Sequence, residues 1–209
     1  MADPNLFMMC TQLNKEALTR MPEGYTLRPC RKEELSVWKA MPFDDAKTAL
    51  AYEPYMQSYF ELVYQDKSDL FFKRCLFLCD ANDQPIGTAF IWPAYDKITT
   101  LHWVKVKKDY EDKKLGRAML SVILGSLSKE DFPIYLHTQP GSYRAIKLYS
   151  DFGFKFITDE QVGTRHNDLD TVLPELQKLM TKEAFEQLQF VSAPVDFLNH
   201  LSHYPHDEF

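Results

Sequence analysis

With 209 residues, a formal net charge of −6 and no window near the roughly 18 apolar residues of a membrane span, the chain suits one domain with its own core. The acidic balance speaks against a general nucleic-acid binder, which needs a basic surface to neutralise phosphates. Four cysteines, Cys10, Cys30, Cys75 and Cys79, are too few for a disulfide scaffold and lack the paired CxxC spacing of zinc sites. The N-terminus has no basic segment leading into an apolar one, so the expectation is a soluble, cytoplasmic protein with buried thiols, no metal, no membrane and no nucleic-acid partner.

Residues 1–23 read as an N-terminal tail, 25–28 as a strand and 31–40 as a helix. From Pro54 the spacing Met56, Tyr59, Phe60, Val63 predicts a helix with one buried stripe, and Pro54 suits its first turn. The apolar run 71–79 predicts a strand. A turn at 81–85 and a returning strand at 86–92 make it an antiparallel hairpin, and 99–106 is a third strand, rich in β-branched and aromatic residues. In the helix predicted over 115–127, Arg117, Ser121 and Gly125 form one narrow polar stripe, so most of its other faces are buried. A strand at 134–137, a helix at 142–152 ended by Gly153 and a strand at 154–157 follow. Beyond Asp159 the pattern predicts helices at 174–180 and 181–188, with 189–192 either a last strand or a frayed helix end. This order is mixed α+β or α/β with a central sheet flanked by helices. Three segments result: the tail, a core over 24–158, and a C-terminal helical extension over 159–209 packed on the same domain.

One region breaks the acidic balance. Between Lys105 and Arg117 stand six basic residues, Lys105, Lys107, Lys108, Lys113, Lys114 and Arg117. Here a strand feeds a helix through a tight turn, Asp112-Lys113-Lys114-Leu115-Gly116-Arg117-Ala118. The first amides of a helix lack internal partners and its dipole is positive there, so the turn suits a phosphate-bearing cofactor. Neither GxGxxG nor GxxxxGK[ST] occurs, which removes the main support for Rossmann and P-loop readings.

The run Val104 to Leu120 resembles the acetyl-CoA segment of the GNAT superfamily of N-acetyltransferases. The helix Ser142-Tyr143-Arg144-Ala145-Ile146-Lys147-Leu148-Tyr149 with Phe152-Gly153-Phe154 after it resembles the family's second signature. The resemblance covers about residues 24–158. It departs at Glu111, where the family has Arg or Gln, at Lys114, where the family has a glycine whose backbone freedom it exploits, and at Ser142, where Asn is common.

What the resemblance implies is the family's fold, a mostly antiparallel central sheet with splayed parallel strands, and acetyl transfer from acetyl-CoA to the amine of a small molecule within a ternary complex. It assigns cofactor binding to Val104, Lys105, Val106, Glu111, Asp112, Lys113, Lys114, Leu115, Gly116, Arg117, Ala118, Ser142 and Ala145. The Val104 amide polarises the thioester oxygen, and Val106 pairs with the pantetheine arm. Tyr149 is the expected proton donor to the leaving thiolate, since a phenol is protonated at neutral pH. His102, two residues before Val104 and so on its face of a regular strand, is the expected general base, with Glu53 and Asp96 as alternatives. Trp38, Tyr52, Tyr55, Tyr59 and Trp92 suggest an aromatic-walled acceptor pocket. His200, His203 and His206 read as a solvated tail rather than a metal site. A non-catalytic acyl-CoA-binding module, a protein N-terminal or lysine acetyltransferase, and a homodimer all stay open.

Overall fold

The computed structural model describes residues 4–209. In chain order the elements are β1 (Leu6–Cys10), β2 (Thr26–Pro29), α1 (Leu35–Ala40), α2 (Ala46–Val63), α3 (Ser68–Arg74), β3 (Leu76–Cys79), β4 (Pro85–Ala94), β5 (Ile98–Val106) and α4 (Leu115–Gly125). They continue with β6 (Ile134–Thr138), α5 (Tyr143–Asp151), β7 (Lys155–Ile157), the two-residue strands β8 (Gln161–Val162) and β9 (Arg165–His166), α6 (Leu169–Leu179), α7 (Lys182–Glu186), β10 (Phe190–Val191) and α8 (Val195–Leu201). Two compact units share this chain, with boundaries after Ala17, Trp92, Thr100 and Ser126, the middle two falling within β4 and β5.

Of the described residues, the first unit holds 4–17, Pro93–Thr100 and Leu127–Phe209. Its strands run β10-β7-β1-β6, with the start of β5 beside β6. β10 is parallel to β7, β7 and β6 are both antiparallel to β1, and β6 is parallel to β5 through the single pair Thr100–Tyr135. This is the expected mixed sheet. The central strand β1 corrects the reading of residues 1–23 as a tail. Leu6, Phe7, Met8 and Cys10 are wholly buried and Met9 nearly so, as in strands covered on both faces, which read as continuous apolar runs rather than alternating ones. At about 1.5–3 kcal/mol for each large apolar side chain buried, β1 contributes on the order of 10 kcal/mol, as much as a whole domain's net stability. The segment after 158 is also more than helical. Gln189 N-terminal to β10 accepts a bond from Phe156 N–H, and Val191 accepts from Thr158 N–H, which adds β10 to the sheet edge.

The second unit holds Leu18–Trp92 and Leu101–Ser126, with strand order β5-β4-β3-β2. β2, β3 and β4 pair antiparallel in sequence. The predicted strand over 71–79 starts only at Leu76, because Ser68–Arg74 continues the helical path and buries Phe71 in an aromatic cluster with Trp38, Phe60 and Tyr64. A short apolar run cannot be told from a buried helix turn by periodicity alone. Helix α2 likewise begins well before Pro54, at an Asp45 cap whose Oδ1 accepts Thr48 N–H at 2.9 Å. Pro54 then lies inside the helix, where it has no N–H to give the Leu50 carbonyl four residues earlier; Leu50 is 76% exposed, so this interruption falls on the solvent side of the helix.

Candidate active site

The cofactor turn lies within the second unit. After β5 the chain makes a 3-10 turn at Lys108–Tyr110, pinned by Tyr110 Oη donating to Asp80 Oδ2 at 3.2 Å, with the Lys113 ammonium 4.6 Å from the Tyr110 ring centre. Asp112 and Lys114 then adopt left-handed backbone, with φ of +61° and +59°. Left-handed residues that bracket an ordinary one turn successive N–H groups to one side, the geometry of an anion nest. Lys114 is also the residue before α4, and its side chain makes no capping bond. The first helical bond is Ala118 N–H to Lys114 O at 3.1 Å, so the Leu115 and Gly116 amides precede it. With Lys107, Lys108, Lys113 and Lys114 exposed around it, the turn fits a pyrophosphate. Lys105 is engaged elsewhere, in an ion pair with Asp44 at 2.7 Å.

Val104 and Val106 lie beyond Thr100, the one residue of β5 that pairs with β6. Between them and Thr100 the strand is irregular. Trp103 has φ of +50°, a conformation that costs a bulky residue about 1–3 kcal/mol and persists only where its surroundings hold it. Strict alternation would send His102 and Trp103 to opposite faces. Instead both reach one hydroxyl: Trp103 Nε1–H donates to Tyr64 Oη at 3.0 Å, and His102 Nδ1 lies 2.5 Å from the same oxygen. The positive φ of Trp103 interrupts the regular alternation on which His102 was counted to the face of Val104. His102 is also 3% exposed, and burial holds its pKa at about 3.

Ser142, Ala145 and Tyr149 fall in the first unit. Ser142 is exposed at the start of α5, and Ala145 is half-buried. Tyr149 is 6% exposed, 5.9 Å from the Phe154 ring, and burial raises its pKa well above the usual phenol value, so it is protonated throughout the neutral range. Among the alternatives, Glu53 is paired with Lys39 at 2.7 Å, and Asp96 accepts from Tyr204 Oη at 3.1 Å. Of the aromatic candidates, Trp38 and Trp92 are core residues, whereas Tyr52 and Tyr55 are exposed and Tyr59 is half-buried along α2. The C-terminal histidines do not converge: His200 donates to the Tyr95 carbonyl, His203 to the Asn199 carbonyl, and His206 lies beside Glu208. Among the described residues no group of three or more His, Cys, Asp or Glu could hold a metal ion.

Nothing in the sequence announced Tyr64, Trp103 or the left-handed Asp112. Backbone sign at a non-glycine residue leaves no mark in composition or periodicity.

Comparison with known proteins bears on the family and the fold. The model of the acetyltransferase (GNAT) family matches residues 39–154, more than half of the chain. Among solved structures, a GNAT-family acetyltransferase from Colwellia psychrerythraea is 12% identical with a TM-score of 0.53, over 74% of this chain and 53% of its own. A tandem GNAT protein from the clavulanic acid biosynthesis pathway is 12% identical with a TM-score of 0.52, over 74% of this chain and 50% of its own. At such identities the likeness is one of fold, and the chain spans about half the length of the solved proteins it matches. No curated protein matches in sequence. The chain belongs to the acetyltransferase (GNAT) family.

Proposed function

We propose that this chain moves an acetyl group from acetyl-CoA to the amine of a small molecule, by direct attack in a ternary complex. The observation that carries the reading is Lys114: it stands where the family's motif has glycine, yet holds the left-handed backbone that glycine would provide. The turn keeps its shape despite the change, and the substitution adds a cation to the phosphate cradle.

Acetyl-CoA supplies the acetyl group as a thioester. The Leu115 and Gly116 amides, with Lys113 and Lys114, hold the pyrophosphate, and the Val106 main chain pairs with the pantetheine amides. The Val104 N–H stabilises the oxyanion as the amine nitrogen bonds to the carbonyl carbon and the C–S bond breaks. Tyr149, in the first unit, is proposed as the general acid on the strength of the family's second signature alone. His102 is left out of proton transfer, because a buried base with pKa of about 3 is too weak to deprotonate an ammonium; the acceptor reacts as the free amine, its proton having gone to solvent before it binds. Tyr52, stacked on Phe43 at 5.1 Å, with Tyr55 and Tyr59, offers the acceptor an aromatic surface on α2.

Thermal shift with acetyl-CoA and with free CoA tests the cofactor half of this reading. Both ligands should raise the melting temperature, since a ligand that binds only the folded state stabilises it. No shift with either rejects the proposal.

A further inference from the structure

We infer that Tyr64 is a positioning residue, whose hydroxyl holds the kink of β5 at Trp103 and thereby aims the next amide, that of Val104, at the thioester oxygen. This rests on the assignment of the Val104 amide above.

Three observations converge on it. Trp103 sits in a backbone region that bulky side chains avoid, so something must hold it there. Two polar contacts of this stretch meet on one oxygen. Trp103 Nε1 can only donate, so Tyr64 Oη accepts it, and His102 Nδ1 occupies a second position on the same hydroxyl. Both partners belong to adjacent strand residues, whose side chains a regular strand would send to opposite faces, so one hydroxyl engages both where the strand is kinked at Trp103.

The post itself is rigid. Tyr64 is wholly buried, ends α2 with its own N–H on the Phe60 carbonyl at 2.9 Å, and is wedged edge-on between Trp38 and Trp92, with ring centres at 5.7 and 4.8 Å. Deleting the hydroxyl would take this shared partner from the indole N–H and the imidazole nitrogen. The kink is the element free to move, and relaxing it turns the Val104 amide.

Tyr64→Phe keeps the ring and removes only the oxygen. In the full chain it should lower kcat for acetyl transfer about 10- to 100-fold, short of losing an oxyanion donor outright, while the acetyl-CoA KM and the Kd of free CoA change by less than about threefold. Trp103→Phe should do the same, and the double variant should be no worse than either single, because both remove one interaction. A folded Tyr64→Phe protein with kcat within twofold of the parent, or losses that multiply in the double variant, overturns the inference. If Tyr64→Phe does not fold, Trp103→Phe carries the test alone with the same two outcomes. If the parent itself releases no CoA from any amine, the function fails but the positioning role is still read by NMR. The Trp103 indole and Val104 amide resonances should shift in Tyr64→Phe, and unchanged resonances contradict it.

Discussion

Asp112 and Lys114, one residue apart, both hold left-handed backbone at the entrance to α4, with φ of +61° and +59°. Glycine adopts this conformation without cost, whereas other residues lose about 1–2 kcal/mol there. Lys114→Gly should therefore raise the melting temperature by about 2–4 °C, the shift expected from about 1 kcal/mol in a chain of this size. Lys114→Ala keeps the strain and removes only the charge. It should leave stability within about 0.5 kcal/mol and weaken acetyl-CoA binding in a salt-dependent way. Calorimetry of the two variants beside the parent separates backbone strain from charge.

Tyr149 is buried on α5 and stays protonated at neutral pH. Tyr149→Phe should cut kcat at least about tenfold, the lower part of the range for losing a general acid, with the Kd for acetyl-CoA unchanged. Steady-state kinetics beside a binding titration checks both halves. An unchanged kcat removes Tyr149 from the chemistry.

His102 and His137 are each held at a pKa of about 3 against the usual 6.5, both chiefly by burial, with Arg165 adding repulsion at His137. Between those values the unfolded chain binds protons that the folded chain refuses, so stability falls as pH is lowered through the window from 6.5 towards 3. The limiting slope is about 1.4 kcal/mol per pH unit for each histidine. Glu34 behaves differently. The Arg28 guanidinium at 2.8 Å lowers its pKa, so its contribution is lost only below the usual 4.5. The interval from pH 6.5 to 4.5 thus isolates the histidines. Guanidinium denaturation at pH 7 and pH 5 should show a clear loss at the lower pH, and equal stabilities contradict the buried neutral assignment.

Gly87 in β4 faces the backbone of β5. A Cβ there would lie 2.6 Å from the Lys105 carbonyl oxygen and 3.4 Å from Val106 Cα, and neither atom can swing aside. Gly87→Ala should cost about 1–3 kcal/mol as an overpacked site, and it should weaken acetyl-CoA binding because it displaces the strand that carries Val104 and Val106. Gly141→Ala, where a Cβ meets nothing within 4 Å, is the control and should be near neutral in denaturation and in binding.

The chemistry was most legible where local rules act alone. The basic turn, the start of α4 at Leu115 and the Tyr149 helix were readable because charge, helix-end amides and spacing are properties of adjacent residues. β1 was not, since five apolar residues ahead of a polar stretch carry no alternation, and their place among β6 and β7 is set by contacts more than 120 residues away. α3 was lost to the same ambiguity of a short apolar run, and the start of α2 to taking Pro54 as its first turn when Pro54 sits inside the helix, behind the exposed Leu50. His102 illustrates the limit at the site. Its distance from Val104 was counted on a regular strand, and the positive φ of Trp103, which breaks the count, is imposed by Tyr64 from another element.

The central claim is acceptor-dependent acetyl transfer, and free-thiol release tests it most directly. The purified full chain would be mixed with acetyl-CoA and a panel of small primary amines, with lysine peptides as a separate arm, and CoA thiol followed against time. At least one small amine should raise the release above its enzyme-free blank, with one acetylated amine found by mass spectrometry for each thiol. Acetyl-CoA that binds while no amine raises the release would contradict the account and leave a binding module in its place.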